Sequence, residues 1–349
     1  MLGPMSDDAA VRSGRRRFRT ILAAIAGIAL AFLTFEAAFR LLLFGTVDVD
    51  PITHAEIATG RHRIGEGFGE SHRDRRGIRL SPHGCTHCPQ VLVIGDSYTD
   101  AFQVNDDQVF TAVAESMLAS SKPVRLLNAG AAGASPADYL VQAASNLRRF
   151  QPAWVVIELN ADDLGPDAFH PDQVHFRQDG NHLTPVVPAP YAYGRITRTL
   201  ALIREHSALI NYAITRLDIA RNGRKAPPWF RAGFRPTAIR SEARPTYPLE
   251  QELSLLRSAY KERVTFLFLP LFNVPIEDDE VRFERYCATA HMSCVNFRAS
   301  FDEFRRSGTA PYGFPNSRFG GGHLNTAGHV AVARQLANEI RRLRQNGLF

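Results

Sequence analysis

Two short stretches, far apart in the chain, carry side chains that could do covalent chemistry together. Val91-Leu92-Val93-Ile94 runs into Gly95-Asp96-Ser97, and Gly320-Gly321-Gly322-His323-Leu324-Asn325 lies near the other end. A serine hydroxyl is a poor nucleophile until a neighbouring base takes its proton, and histidine is the side chain most often used for this. The pair therefore points to attack of Ser97 on an acyl carbon with His323 as base. Such a reaction also needs donors for the oxyanion that develops. Candidates are the glycine turn Asn128-Ala129-Gly130-Ala131-Ala132-Gly133 and the polar run Asn160-Ala161-Asp162-Asp163.

The elements that must position these groups follow from apolar patterning. Gln90 to Ile94, Val124 to Leu127, Trp154 to Leu159, Val264 to Leu269 and Cys294 to Phe297 read as short buried strands. Helical spacing falls over Val109 to Leu118, Pro136 to Phe150, Glu250 to Lys261, Glu277 to His291 and Thr326 to Leu343, with Ser135 and Pro136 set as cap and first residue of the second. Strands alternating with helices predict a parallel sheet covered on both faces. Ser97, Gly133 and the Asn160–Asp163 run each follow a strand, so all fall at the carboxyl edge of that sheet, where open α/β folds bind ligands. Between about 165 and 248 the pattern breaks down around one helical patch, Ile196 to Leu217, which predicts an insertion. Residues 45–89 have no sustained period and read as a tether and lead-in.

The N-terminus is of another kind. Arg12, Arg15, Arg16, Arg17 and Arg19 precede an apolar run from Ile21 to Phe35, which Glu36 and Arg40 interrupt before Leu41 to Phe44 resume it. The run is long enough to cross a bilayer if Glu36 and Arg40, four apart and able to pair, sit near the far interface. The flanking arginines place residues 1–19 in the cytoplasm, 20–44 in the membrane and the rest outside. A cleaved signal peptide is the alternative, without a convincing cleavage site.

The net charge of +6 is no sign of nucleic-acid binding, because part of the basic excess lies in that flank and no nucleic-acid motif accompanies it. Four cysteines in an exported chain suggest disulfides, most simply Cys85–Cys88 and Cys287–Cys294. Half a zinc site or a redox motif at Cys85-Thr86-His87-Cys88 is the alternative reading.

Gly-Asp-Ser after the first strand, Asn-Ala-Gly after the second, an acidic/Asn turn after the third and His-x-Asn-x-x-Gly-His before the closing helix resemble the SGNH (GDSL) hydrolase family. With its single anchor, the chain resembles the membrane-anchored bacterial members. The resemblance spans roughly residues 74–345 apart from the insertion. It implies a flavodoxin-like three-layer α/β/α fold with a five-stranded parallel sheet, preceded by one transmembrane helix, with residues 90–349 forming the hydrolase-like domain. It implies an esterase or O-acyltransferase working through an acyl-enzyme on Ser97, with His323 as base and the N–H groups of Ser97 and Gly133 in the oxyanion hole. It calls for no metal or cofactor. Export to the outer face of a bacterial inner membrane favours an acylated envelope glycan or lipid as substrate.

Two blocks depart from the family pattern. Asp162 stands where the family has an oxyanion-binding asparagine, and an ionised carboxylate cannot donate. The donor is then Asn160, a protonated Asp162, or the two N–H groups alone; losing one donor costs roughly 10²–10³ in rate. Gly320 stands where the family has the aspartate that orients the histidine. Asp100, Asp302 or a backbone carbonyl could serve instead, or Ser97 and His323 could act as a dyad. These departures motivate the alternative of a non-catalytic protein that binds an acylated glycan or an assembly partner.

Overall fold

The computed structural model describes all residues except 1–6, 44, 50–55, 62–65, 68, 86, 121–122, 165–173, 181, 189–206, 208, 211, 214–247, 273–275, 277, 316 and 318–319, and the backbone alone for 7–15, 42–43, 45–49, 56–61 and 162. The chain divides into two compact units, Met1–Phe44 with Tyr193–Arg221, and Gly45–Ala192 with Asn222–Phe349.

The first unit is built on helix α1, Asp7–Leu43. Its segment Arg16–Leu41 is long and apolar enough to cross a membrane. At 1.5 Å per residue those 26 residues reach about 39 Å, against a hydrocarbon core of about 30 Å. Its large apolar side chains, Ile28 and Leu33 among them, face outward.

The second unit is a doubly wound α/β domain. Strands β4 (Gln90–Ile94), β5 (Arg125–Asn128), β6 (Trp154–Asn160), β9 (Val264–Leu269) and β10 (Ser293–Asn296) form one sheet in the order β10-β9-β6-β4-β5. Every pair in it is parallel. Taking these five strands in chain order, the arrangement is 2-1-3-4-5, the flavodoxin-like order, with its switch point between β4 and β6.

Both faces of the sheet are buried, and the residues alternate accordingly. Leu92, Ile94, Val155, Ile157, Phe266 and Phe268 enter one core. Val91, Val93, Trp154, Val156, Leu267 and Leu269 enter the other. This is why the strands read as continuous apolar runs. Helices α4 (Pro136–Phe150), α5 (Leu249–Ala259) and α6 (Asp278–Thr289) cover the first face. Helices α3 (Phe110–Leu118), α7 (Arg298–Arg306) and α8 (Thr326–Gln345) cover the second.

The expected helix starts are made by side chains. The Asp138 carboxylate accepts from the Ser135 N–H at 2.7 Å to open α4, and Asn325 caps α8 by accepting from the Gly328 N–H at 3.0 Å.

Three elements differ from the sequence expectation. Residues 45–89 are more than a tether: β1 (Gly45–Val49), β2 (Glu56–Arg61) and β3 (Glu70–Ser71) form a small antiparallel sheet within the second unit. The insertion contains an antiparallel hairpin of β7 (His175–Asp179) and β8 (His182–Val186). Its residues 193–221 belong to the unit of the anchor helix. Helix α7 follows β10 directly, where no element was expected. The four cysteines pair as Cys85–Cys88 and Cys287–Cys294, which leaves no thiolates there for zinc.

Candidate active site

Strand β4 ends at Ile94, and its chain turns through Gly95 and Asp96 into the short helix α2, Ser97–Asp100. Asp96 caps α2: its Oδ1 accepts from the Tyr98 N–H at 2.8 Å. Ser97 is thus the first helical residue, held at the carboxyl edge of the sheet beside the switch point.

His323 reaches it from the loop before α8. Its Nε2 lies 2.9 Å from Ser97 Oγ. The loop is fixed on both sides of the histidine. The Gly313 N–H donates to His323 O at 2.9 Å, and Asn325 Nδ2 donates to the carbonyls of Ala310 and Gly313 at 2.8 and 3.1 Å. The Tyr98 and His323 rings lie 5.3 Å apart.

The orienting acid is one the sequence reading missed. Glu66 Oε2 lies 2.7 Å from His323 Nδ1 and also accepts from the His323 backbone N–H at 3.1 Å. Ser317 Oγ holds the other oxygen at 2.9 Å. The carboxylate fits only because Gly322, at φ +79°, has no side chain: a Cβ there would overlap Glu66. With Glu66 accepting at Nδ1, that nitrogen carries the hydrogen and Nε2 is left to accept from Ser97, the tautomer a general base needs.

The two acids weighed from sequence are employed elsewhere. Asp100 is buried in an ion pair with Arg73, and Asp302 pairs with Arg305 on the exposed side of α7. Glu66 belongs to a run, Gly65-Glu66-Gly67-Phe68-Gly69-Glu70, in which glycines flank an acid. That composition hints at close packing but does not say against what.

Next to Ser97 lie two carboxyls, Glu158 fully buried and Asp96 partly buried. The Asp96 N–H and the Thr99 hydroxyl donate to Glu158 Oε2 at 3.3 and 3.0 Å. Burial, reinforced by the charges of Asp96 and Asp163, pushes the Glu158 pKa well above the usual carboxylate range. Burial also raises Asp96, to about 6, while its bond from Tyr98 and the positive form of His323 pull the other way. Burial thus favours the neutral form of Glu158 more strongly than that of Asp96.

Asn160, the expected oxyanion donor, spends an amide hydrogen on Asp96: its Nδ2 donates to Oδ2 at 3.0 Å. Its backbone N–H donates to Asp163 at 2.8 Å. The side chain of Asp162 lies outside the described residues. Gly133 is an exposed turn residue at φ +77°. A Cβ there would meet nothing within 4 Å, so glycine is needed for its backbone conformation rather than for close approach. His329 is buried against Phe110, and desolvation lowers its pKa to about 3.

No curated protein matches the chain. Solved structures similar to it include TesA, at 16% identity over 73% of this chain and 99% of that one, with a TM-score of 0.38. A catalytic mutant of Axe2, an acetylxylan esterase from Geobacillus stearothermophilus, has 15% identity over 72% and 94%, with a TM-score of 0.40. A two-domain esterase active on acetylated mannans has 11% identity over 74% and 50%, with a TM-score of 0.39, so this chain spans half its length. The family model for GDSL-like lipases and acylhydrolases matches residues 93–331, a span that contains Ser97 and His323 and excludes Glu66. The chain belongs to the GDSL-like lipase/acylhydrolase family of ester hydrolases.

Proposed function

We propose that this chain is a membrane-anchored serine esterase whose triad is Ser97, His323 and Glu66. The observation that carries the reading is the hydrogen-bonded line from Ser97 Oγ to His323 Nε2, 2.9 Å, and from His323 Nδ1 to Glu66 Oε2, 2.7 Å.

As Oγ bonds to the ester carbonyl carbon, its proton passes to Nε2. The imidazolium keeps its hydrogen bond to the Glu66 carboxylate through Nδ1. The N–H groups of Ser97 and Gly133 receive the oxyanion, with Asn160 bracing the turn from beneath through Asp96. Nε2–H then protonates the departing alcohol and leaves an acyl-Ser97. Water attacks that ester with the same proton relay, releasing the acid and restoring the serine.

The missing acid at Gly320 was one motive for a non-catalytic reading. Glu66 fills that role, so catalysis is the reading favoured here. Substrate and location follow from the anchor. Helix α1 would hold the domain on the extracytoplasmic face of a bacterial inner membrane, an oxidising side that suits two disulfides. An O-acylated envelope glycan or lipid is the substrate class within reach there. A sugar hydroxyl in place of water would make the same acyl-enzyme an O-acyltransferase.

Purified full-length chain should hydrolyse short-chain esters and take a fluorophosphonate label on Ser97, and Ser97→Ala should lose both. Absence of label on the wild type would end the enzyme reading. Adding a sugar acceptor decides between water and alcohol as the acyl recipient.

A further inference from the structure

Of residues 16–41 in α1, only Glu36, Ala38 and Phe39 are partly covered; every other side chain is exposed. What covers them is a segment of the insertion within the same unit. Ser207 Oγ and the Leu209 N–H donate to Glu36 Oε2 at 2.8 and 3.1 Å. Arg40 Nε holds Glu36 Oε1 at 2.6 Å. The Phe39 and Tyr212 rings meet edge-on, 4.9 Å between centroids. The Ile210 N–H returns to Ser207 Oγ at 3.2 Å, ordering the segment that makes these bonds.

A carboxylate in an apolar anchor is costly unless it is paired. Here it is paired within its own helix and also bonded to the insertion, on the side of the anchor toward the catalytic domain's linker. With α1 as an anchor, that contact would put Ser207, Leu209 and Tyr212 at the level where α1 leaves the bilayer. The sequence around them has the character of an interfacial helix. Ile196, Leu200, Ile203, Ile210, Ile214 and Leu217 recur at helical spacing, and Arg195, Arg198, Arg204, Arg216 and Arg221 outnumber Glu205 and Asp218. Apolar spacing with basic residues is what binds the boundary between anionic headgroups and acyl chains.

We propose that the insertion around residues 207–213 is a second membrane-binding element, lying on an anionic lipid surface and fastened to the anchor by Glu36. It rests on the reading of α1 as a membrane anchor. It gives Glu36 a role beyond pairing with Arg40, and it gives the insertion a lipid headgroup layer as its partner.

The test uses the full chain in bilayer discs containing phosphatidylglycerol, with single spin labels on Ile28→Cys, Ala213→Cys and Gln178→Cys. The label at 28 reports the anchor, and the label at 178, on the exposed hairpin, reports water. The expected result is lipid exposure at 28, an oxygen-over-nickel accessibility at 213 several-fold above that at 178, and loss of that excess with Glu36→Ala or with phosphatidylcholine alone. A label at 213 as wet as that at 178, with 28 in lipid, overturns this proposal and leaves the anchor standing. A wet label at 28 overturns both. Unchanged depth in Glu36→Ala overturns the fastening, and unchanged depth without anionic lipid overturns the partner. Should Glu36→Ala fail to insert, oxidation of the Phe39→Cys/Tyr212→Cys pair in the otherwise native chain should cross-link it, and failure to cross-link overturns the docking.

Discussion

The proposed nucleophile and the proposed acid of this site are positioned in opposite ways. Ser97 sits on a turn made by local rules: an apolar strand ends, Asp96 caps the next residues, and a helix starts. Glu66 sits on an arm of little regular structure, attached by contacts distant in sequence. The Glu70 N–H donates to Asn105 and the His72 N–H to Asp106. Arg73 pairs with Asp100 and donates to the Gly130 carbonyl. Arg79, fully buried, spans the Asp100 and Val104 carbonyls and Asp106. Every one of those partners lies in the stretch just after the nucleophile turn or in the glycine turn beside it. The arm is thus referenced to the same few residues that carry Ser97. A triad can be assembled from one part that folds by itself and one part that is clamped to it.

Four substitutions test this contrast, beginning with the largest effect. His323→Ala removes the group that joins the two parts, and kcat on a short-chain ester should fall roughly 10⁴–10⁶-fold with the fold intact by circular dichroism. A fall under tenfold would mean that the line of hydrogen bonds is not the catalytic one.

Arg73→Ala releases the arm and strands Asp100 in a buried site. Breaking such a pair should cost about 3–5 kcal/mol, read as a lower urea midpoint. A surface-like cost below about 1 kcal/mol would show that the arm is held otherwise.

Gly322→Ala adds one methyl against the Glu66 carboxylate. Displacing the acid while sparing Ser97 should lower kcat by roughly 10- to 10²-fold with little change in KM. An unchanged kcat would mean that Glu66 tolerates a shift its bond to Nδ1 should not allow.

His329 sits outside the triad, so its effect is confined to stability. Its folded pKa of about 3 lies below the usual value of 6.5, so the unfolded state binds more protons between those limits. Stability from this group is complete above about pH 6.5 and declines by roughly 1.4 kcal/mol per pH unit as pH falls toward 3. His329→Asn should remove that part of the pH slope at equal activity at pH 7. The same slope in both proteins would contradict it. Asp96, raised to about 6, contributes with the opposite sign over roughly pH 4–6. The comparison between variant and wild type is what isolates the histidine.

The same contrast explains what the sequence made legible. The five parallel strands, most helices, Ser97 and His323 were readable, because buried parallel strands are apolar throughout and caps announce helices. Both disulfides follow from the simplest pairing of the cysteines. Glu66 was not readable. Its partner lies over 250 positions away, on a loop with no period, and only the flanking glycines distinguish it from a solvated acid. Gly320 looked like a loss when the acid had moved to another part of the chain. The β7–β8 hairpin had a usable signal in Asp179-Gly180 between Phe176 and Leu183, and α7 in the helical spacing of Phe297, Phe301 and Phe304. The amide of Asn160 was matched to a donor role, yet it donates to Asp96; which carboxylate lies beneath a turn is a tertiary fact.

The central claim is that an acid outside the family's own span completes the triad, and Glu66→Gln tests it most directly. The amide keeps the shape but donates to Nδ1 where the carboxylate accepted, so it favours the wrong tautomer of His323. The claim predicts that kcat on a short-chain ester, and the rate of fluorophosphonate labelling of Ser97, both fall roughly 10²–10⁴-fold at an unchanged urea midpoint. Activity within about threefold of the wild type would contradict it and leave Ser97 and His323 as a dyad.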